Sequence, residues 1–271
     1  MKRLLIYASL KGGVGKSFGA QVFVDTARRA GRTVSAWDLD GNTGSLAILY
    51  PDRDPCVGVA IEDVRDPRCV GAWLEALYGD ADDVLLDVPG GAFDDLLRVL
   101  EGGAASLVSE AKSSERELVL VSVIGTKKDS TPTPLDMIER FGVNDVHHVV
   151  LKNGFFGEPN AFLIYDGICD ATGRVVEYGK AAPRVAAAGG EVVYLPKLNG
   201  EADTILDAKA LTFQVGSTAI DVLGRRHAAN VRLWLGNAAS AMSGTWLDPF
   251  GSVPNEATAV ARGRSKVAVS A

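Results

Sequence analysis

Lys11-Gly12-Gly13-Val14-Gly15-Lys16-Ser17 is the stretch on which the reading of this chain turns. An apolar run, Leu4–Ala8, precedes it and reads as a buried strand. From Lys16 to about Ala30, Ala20, Phe23, Val24 and Ala27 recur at helical spacing until Gly31 stops the pattern. Strand, glycine-rich turn and helix together make the setting in which a loop wraps phosphate. Glycines let backbone N–H groups curl around phosphate oxygens without side-chain clash, and the helix brings its positive dipole end to the same point. In such a loop Lys16 bridges the β- and γ-phosphates, and the Ser17 hydroxyl ligates Mg²⁺. The general pattern G-x-x-x-x-G-K-[ST] asks for glycine at position 10, where this chain has Leu10.

Working outward, nearly continuous apolar runs at Val34–Trp37, Val84–Val88, Leu118–Ile124, Val146–Leu151 and Val192–Leu195 read as strands covered on both faces. Helical segments fall between them, at about Phe93–Leu100, Pro134–Phe141 and Pro183–Ala188. This alternation predicts an α/β fold with a doubly wound, mostly parallel sheet and helices on both faces, whose ligands bind at the carboxyl ends of strands. Residues 50–80, with a helical piece at Ala72–Leu77, and residues 157–182 read as excursions from the core. After about Asp203 the chain turns helical, and Thr218–Met242 reads as one or two helices. From Gly251 onward it is small, polar and mildly basic without periodicity.

The extra lysine, Lys11, gives the motif its family. Lys-Gly-Gly-x-Gly-Lys-[ST] resembles the deviant Walker A loop of the ParA/MinD ATPases, plasmid-partition members of which also lack the first glycine. The resemblance covers roughly residues 1–200 and implies a P-loop NTPase of the SIMIBI type. It implies one ATPase domain over residues 1–250 followed by a flexible tail, 251–271. It assigns ATP to Lys11, Gly12, Gly13, Val14, Gly15, Lys16, Ser17 and Phe18, with Lys11 reaching across a homodimer to the partner's nucleotide. Phe18 departs from the family's second Thr and offers only its backbone N–H. Asp38 and Asp40 resemble the family's second signature, Asp38 near Mg²⁺-bound water and Asp40 positioning the attacking water. Asp83–Gly91 resembles Walker B, with Asp87 serving the metal, Asp83 as a strand-entry residue and Pro89-Gly90-Gly91 as a switch loop. Asn153 resembles the family's adenine-reading Asn, and Pro196 the residue closing the other side of the base pocket. Lys11, Lys16 and Asp40 are thus the expected catalytic residues, Ser17, Asp38 and Asp87 the metal residues, and ATP and Mg²⁺ the ligands.

Rival readings stand beside this one. Thr126-Lys127-Lys128-Asp129 matches the guanine-reading pattern [NT]-K-x-D, and Asp87–Gly90 matches D-x-x-G, which together describe a GTPase. A small-substrate P-loop enzyme and a MinD-like positioning ATPase are further alternatives. Nitrogenase-reductase-like relatives need cluster ligands, and Cys56, Cys69 and Cys169 do not sit where these belong. Three scattered cysteines fit reduced thiols in a cytoplasmic protein. No apolar run approaches the roughly 20 residues of a membrane span. The segment Val231–Leu235 reads as a helix packed on the core, its alternative being an amphipathic membrane face. A net charge of −6 argues against a globally basic nucleic-acid binder. Arg225, Arg226 and Arg232, with Arg262, Arg264 and Lys266 in the tail, are candidates for local, non-specific DNA contact. By resemblance the chain is a plasmid partition, stability or conjugal-transfer ATPase acting with a small centromere-binding adaptor.

Overall fold

A computed structural model describes residues 1–41, 44–198 and 200–252. Among the described residues nine strands form: β1 Arg3–Ala8, β2 Val34–Asp38, β3 Ala60–Ile61, β4 Asp83–Asp87, β5 Glu117–Ile124, β6 Val146–Asn153, β7 Ile168–Cys169, β8 Val175–Glu177 and β9 Glu191–Leu195. Seven of them build one sheet in the order β3-β2-β4-β1-β5-β6-β9, with every pairing parallel. The remaining two pair antiparallel as a small hairpin inside the 157–182 excursion. The helices are α1 Lys16–Arg29, α2 Ser45–Leu49, α3 Cys69–Leu77, α4 Phe93–Val99, α5 Gly103–Ser113, α6 Thr133–Phe141, α7 Leu163–Asp166, α8 Ala181–Ala187, α9 Gly200–Ala208, α10 Phe213–Gly216 and α11 Ile220–Met242. Gly224, at φ 75° and ψ 157°, breaks α11 near its start.

Strand alternation sorts the core onto two faces. Leu5 and Tyr7 point to the side of α1 and α9–α11, while Leu4, Ile6 and Ala8 point to the side of α3–α6. β1 lies at the centre, where strand order reverses between β4 and β5, so the loop leaving its carboxyl end opens at the topological switch point.

Several elements differ from the sequence expectation. β3 adds a parallel edge strand within the 50–80 excursion; two residues are too few to show a period. The excursion is tied down by Arg28, whose guanidinium donates to Val34 O at 2.9 Å, Pro55 O at 3.0 Å, Val57 O at 2.8 Å and Gly58 O at 2.8 Å. Asp83 is more than a strand-entry residue. It is fully buried between Arg3, at 2.7 Å, and Arg32, also at 2.7 Å. Arg3 also donates to the carbonyls of Trp246 and Asp248, fastening the end of the described chain to the first strand. An ion pair so placed holds because its remaining donors are also satisfied. Among the described residues no helix is long and apolar enough to cross a membrane. Cys56, Cys69 and Cys169 are all unpaired. The tail beyond residue 252, with Arg262, Arg264 and Lys266, lies outside the described residues.

Candidate functional site

The site is built where β1 hands over to α1. Gly15 precedes the helix at φ 89°, and a Cβ there would fall 2.1 Å from Asn153 Nδ2, so both backbone sign and space require glycine. Lys16 follows at 7% exposure. Burial lowers its pKa, opposed by the nearby carboxylates of Asp87 and Asp40. A cavity of about 180 Å³ lies over this helix terminus. Gly12, Gly13, Lys16 and Ser17 line one side, Asp38, Asp40 and Asp87 the other, and Val88–Gly90 the rim. Gly90 sits so tightly on the loop that a Cβ would lie 2.6 Å from Gly12 Cα, so the segment after β4 is in backbone contact with the glycine-rich loop.

The three aspartates differ in their surroundings. Asp87 ends β4, is nearly buried, and accepts a hydrogen bond from Ser17. Burial pushes its carboxyl up to about 7, with the Ser17 hydrogen bond opposing and Asp38 adding to the rise. Its Oδ1 is buried without a hydrogen-bond partner. An orphaned carboxylate oxygen beside a hydroxyl, in an oxygen-rich cavity, fits a hard divalent cation. Asp38 ends β2 and accepts from the Ala47 N–H at 3.0 Å and the Asp40 N–H at 3.2 Å, so it also caps the start of α2. Burial raises its pKa as well. Asp40 is exposed and bridges to Asp63 through the main chain.

Lys11 does not line this cavity. It points outward, half exposed, and pairs with Asp129. The neighbouring Leu10 N–H donates to Thr133 Oγ1 at 3.2 Å, so the entering limb of the loop is tied to the first residue of α6. Asp129 closes the Thr126-Lys127-Lys128-Asp129 match, and its carboxylate is engaged by Lys11 instead of standing free for a guanine edge.

Asn153 is the last residue of β6 and is 3% exposed. Its Nδ2 donates to Val14 O at 3.0 Å, and its Oδ1 accepts from Phe155 N at 3.0 Å. Both ends of the carboxamide are therefore on backbone, and the residue buttresses the phosphate loop from beneath. Lys152, one position earlier, faces the opposite side and pairs with Asp166 at 2.7 Å beside the Phe162 and Tyr165 rings. The Pro196 carbonyl accepts from Trp234 Nε1 at 2.8 Å. Phe18 points away from the cavity into an aromatic cluster, 5.5 Å from Phe213 and 5.8 Å from Trp234 between ring centres. Val231, Trp234, Leu235 and Met242 are all buried, as the core-packing reading of this helix expects. Arg225, Arg226 and Arg232 are all exposed, and Arg232 also donates to Ser217 O at 3.0 Å and 3.3 Å. Sequence reasoning missed Asp129 as the Lys11 partner and passed over Phe155, an exposed aromatic immediately beyond Asn153.

A parallel sheet of this order, with a Gly–Lys–Ser loop opening its first helix at the switch point, has the P-loop NTPase fold. No family model matches the chain. It is similar to Protein MobD of Acidithiobacillus ferrooxidans, 21% identical over 245 residues, covering 90% of this chain and 97% of that protein. The solved structures it resembles include MinD of Pyrococcus horikoshii complexed with Mg-ADP, at 15% identity and TM-score 0.47, covering 85% of this chain and 94% of that one. They also include MinD of Aquifex aeolicus, at 13% identity and TM-score 0.44, covering 86% and 97%. A nucleotide-binding protein of Archaeoglobus fulgidus in complex with ADP follows, at 16% identity and TM-score 0.44, covering 78% and 87%.

Proposed function

We propose that this chain is a ParA/MinD-like ATPase. It binds ATP with Mg²⁺, closes as a nucleotide-sandwich homodimer and uses slow hydrolysis as a switch in plasmid partition, stability or conjugal transfer. The observation that carries the reading is the convergence of the buried Lys16 ammonium, the Ser17 hydroxyl and the unpartnered Asp87 oxygen on one cavity at the amino end of α1. Lys16 and the loop amides hold the phosphates. Ser17 and Asp87, with Asp38 behind them, are the residues that would hold Mg²⁺. When bound, that ion neutralises charge on the β- and γ-phosphoryl oxygens. Asp40, exposed and lining the cavity, is the residue that would orient an attacking water. Lys11 lies outside its own cavity, where a second subunit's nucleotide can meet it as a positive charge in trans. Exposed Arg225, Arg226 and Arg232 are the described candidates for non-specific DNA contact, and a small adaptor protein is the expected partner.

The test is titration with ATP and Mg²⁺, followed by sedimentation and by turnover with ATP and GTP, with and without DNA. Lys16→Ala should abolish nucleotide binding. Lys11→Ala should keep monomer binding and lose ATP-dependent dimers. Binding unaffected by Lys16→Ala would refute the site, and unchanged dimers in Lys11→Ala would refute the sandwich.

A further inference from the structure

Beside the phosphate cavity lies a second, larger one that the proposed function leaves unused. It has a volume of about 290 Å³ and lies between α1, α2 and α9. The two cavities share only Ser17 and Ser45, and neither Asn153 nor Pro196 lines the second. Its walls are mainly apolar, formed by Phe18, Ile48, Leu49, Leu206, Leu211 and Phe213. Gln21 of α1 also lines it, at 5% exposure, and among the described residues its carboxamide has no hydrogen-bond partner. A polar group buried this far is ordinarily bonded, so one left open toward a cavity calls for a bonding group from outside. The α9 wall is acidic. Asp203 and Asp207 sit one turn apart on the same helix face, and among the described residues no Lys or Arg forms an ion pair with either. Burial raises the pKa of Asp203, the Asp207 charge adds to the rise, and Lys197 opposes it from a distance. The polar groups are thus graded by depth: Gln21 is buried, Asp203 half-buried and Asp207 exposed.

We infer that this cavity binds a small organic monocation that carries a neutral hydrogen-bonding group at the end away from its charge. The ammonium or guanidinium meets Asp203 and Asp207, the apolar body fills the space between the rings and aliphatic side chains, and the neutral end bonds Gln21. Other occupants leave something unsatisfied. An anion meets two carboxylates. A bare metal ion finds an apolar wall, and among the described residues no group of three His, Cys, Asp or Glu could hold one. A Lys or Arg side chain of another protein enters charge first, which carries its charge down to the neutral Gln21 and past the carboxylate at the rim. At about 30 Å³ apiece, the share of a water in the liquid, the volume has room for roughly ten non-hydrogen atoms. The inference stands apart from the proposed nucleotide chemistry, which uses the other cavity.

The experiment is calorimetric titration of the full chain by tyramine, a probe with an ammonium at one end and a phenol at the other. Three relatives are titrated beside it: phenethylamine, which lacks the hydroxyl; 4-hydroxyphenethyl alcohol, which lacks the charge; and 4-hydroxyphenylpropionate, which reverses it. Tyramine should bind saturably, about fivefold or more tighter than phenethylamine and about tenfold or more tighter than the alcohol, and the propionate should not bind. Gln21→Leu should erase the advantage over phenethylamine alone, and the Asp203→Asn, Asp207→Asn double variant the advantage over the alcohol alone. Absence of saturable tyramine binding overturns the inference. So does equal affinity for all four probes, which marks an apolar cleft without polar recognition; this comparison is made on wild type and needs no variant to fold. Advantages that survive their matched substitutions overturn it as well. Tyramine should still bind in the presence of saturating ADP and Mg²⁺, and strict competition between the two overturns the inference by making the cavity the nucleoside end of the nucleotide site. Wild type that takes tyramine but no nucleotide supports this site and refutes the proposed phosphate site.

Discussion

Asn153→Ala tests whether this residue reads a base or braces the loop. The side chain is 3% exposed and makes two hydrogen bonds at 3.0 Å, one to the Val14 carbonyl and one from the Phe155 N–H. Removing it leaves both backbone groups without partners, and each such loss costs about 1–3 kcal/mol. Val14 is buried while the Phe155 N–H is only part-buried, so the lower half of the combined range applies, about 2–4 kcal/mol. For a chain of this size that lowers the unfolding midpoint by roughly 4–8 °C. Asn153→Asp is the sharper variant. It keeps the acceptor for Phe155 but sets a carboxylate oxygen against the Val14 carbonyl, so it should be worse than Ala at neutral pH and recover on acidification, when a proton restores the donor. Urea unfolding gives the stability, and tripolyphosphate titration gives the loop's competence apart from any base. Bracing predicts loss of both. If Asn153→Ala unfolds within about 0.5 kcal/mol of wild type, binds tripolyphosphate normally and merely changes its ATP-to-GTP ratio, the bracing argument is wrong and the edge-reading role stands.

Asp83→Asn should destabilise the protein by about 3–5 kcal/mol in denaturant unfolding, because the buried Arg3 loses its charged partner while its other bonds reach the Trp246 and Asp248 carbonyls. Phe18→Thr should cost about 2–4 kcal/mol in thermal unfolding by opening the cluster with Phe213 and Trp234. Asp25 is buried, accepting from Tyr50 Oη at 2.7 Å and the Gln214 N–H at 3.0 Å, and burial pushes its carboxyl up from 3.8 to about 6. The folded state therefore binds the proton more tightly than the unfolded chain does. Stability from this group is greatest below about pH 4, falls as pH rises toward 6, and levels off above, a change of about 3 kcal/mol. Unfolding free energies measured at several pH values should show this decline relative to Asp25→Asn, and parallel curves for the two proteins would refute it.

The sheet was legible because its strands are apolar runs bounded by turn residues, and the phosphate loop because its glycines, lysine and serine admit few other uses. β3 was hidden by being two residues long, and α5 by a Gly-Gly-Ala-Ala start that carries no helical stripe. The candidate site was legible where chemistry demands a residue type at a strand end, as at Asp38 and Asp87. It was illegible where a polar side chain faces its own backbone. A strand-terminal Asn suits a base edge and a loop carbonyl equally well. The choice depends on Gly15, whose bare Cα lets the carboxamide come close. Asp129 illustrates the same limit, since nothing in Thr-Lys-Lys-Asp tells that the carboxylate meets a lysine 118 residues earlier.

The phosphate loop is gripped at successive residues by different neighbours. Thr133 of α6 holds Leu10, Asp129 holds Lys11, Gly90 beyond β4 rests on Gly12, and Asn153 of β6 holds Val14. The grips differ in strength in a way that matches the proposed cycle. Those on Leu10 and Val14 are hydrogen bonds to or from backbone, with Asn153 buried, and they fix the curvature that phosphate requires. The grip on Lys11 is an exposed ion pair, with side chains 50% and 41% accessible, and such pairs hold weakly in water. In the proposed dimer, a phosphate tail presented by a second subunit would carry more charge than one carboxylate, and docking would exclude the water that screens it, so it would outcompete Asp129 at small cost. On the proposed function the loop would keep its shape while Lys11 exchanges Asp129 for a new partner, the division between binding and switching that a nucleotide-gated dimer needs.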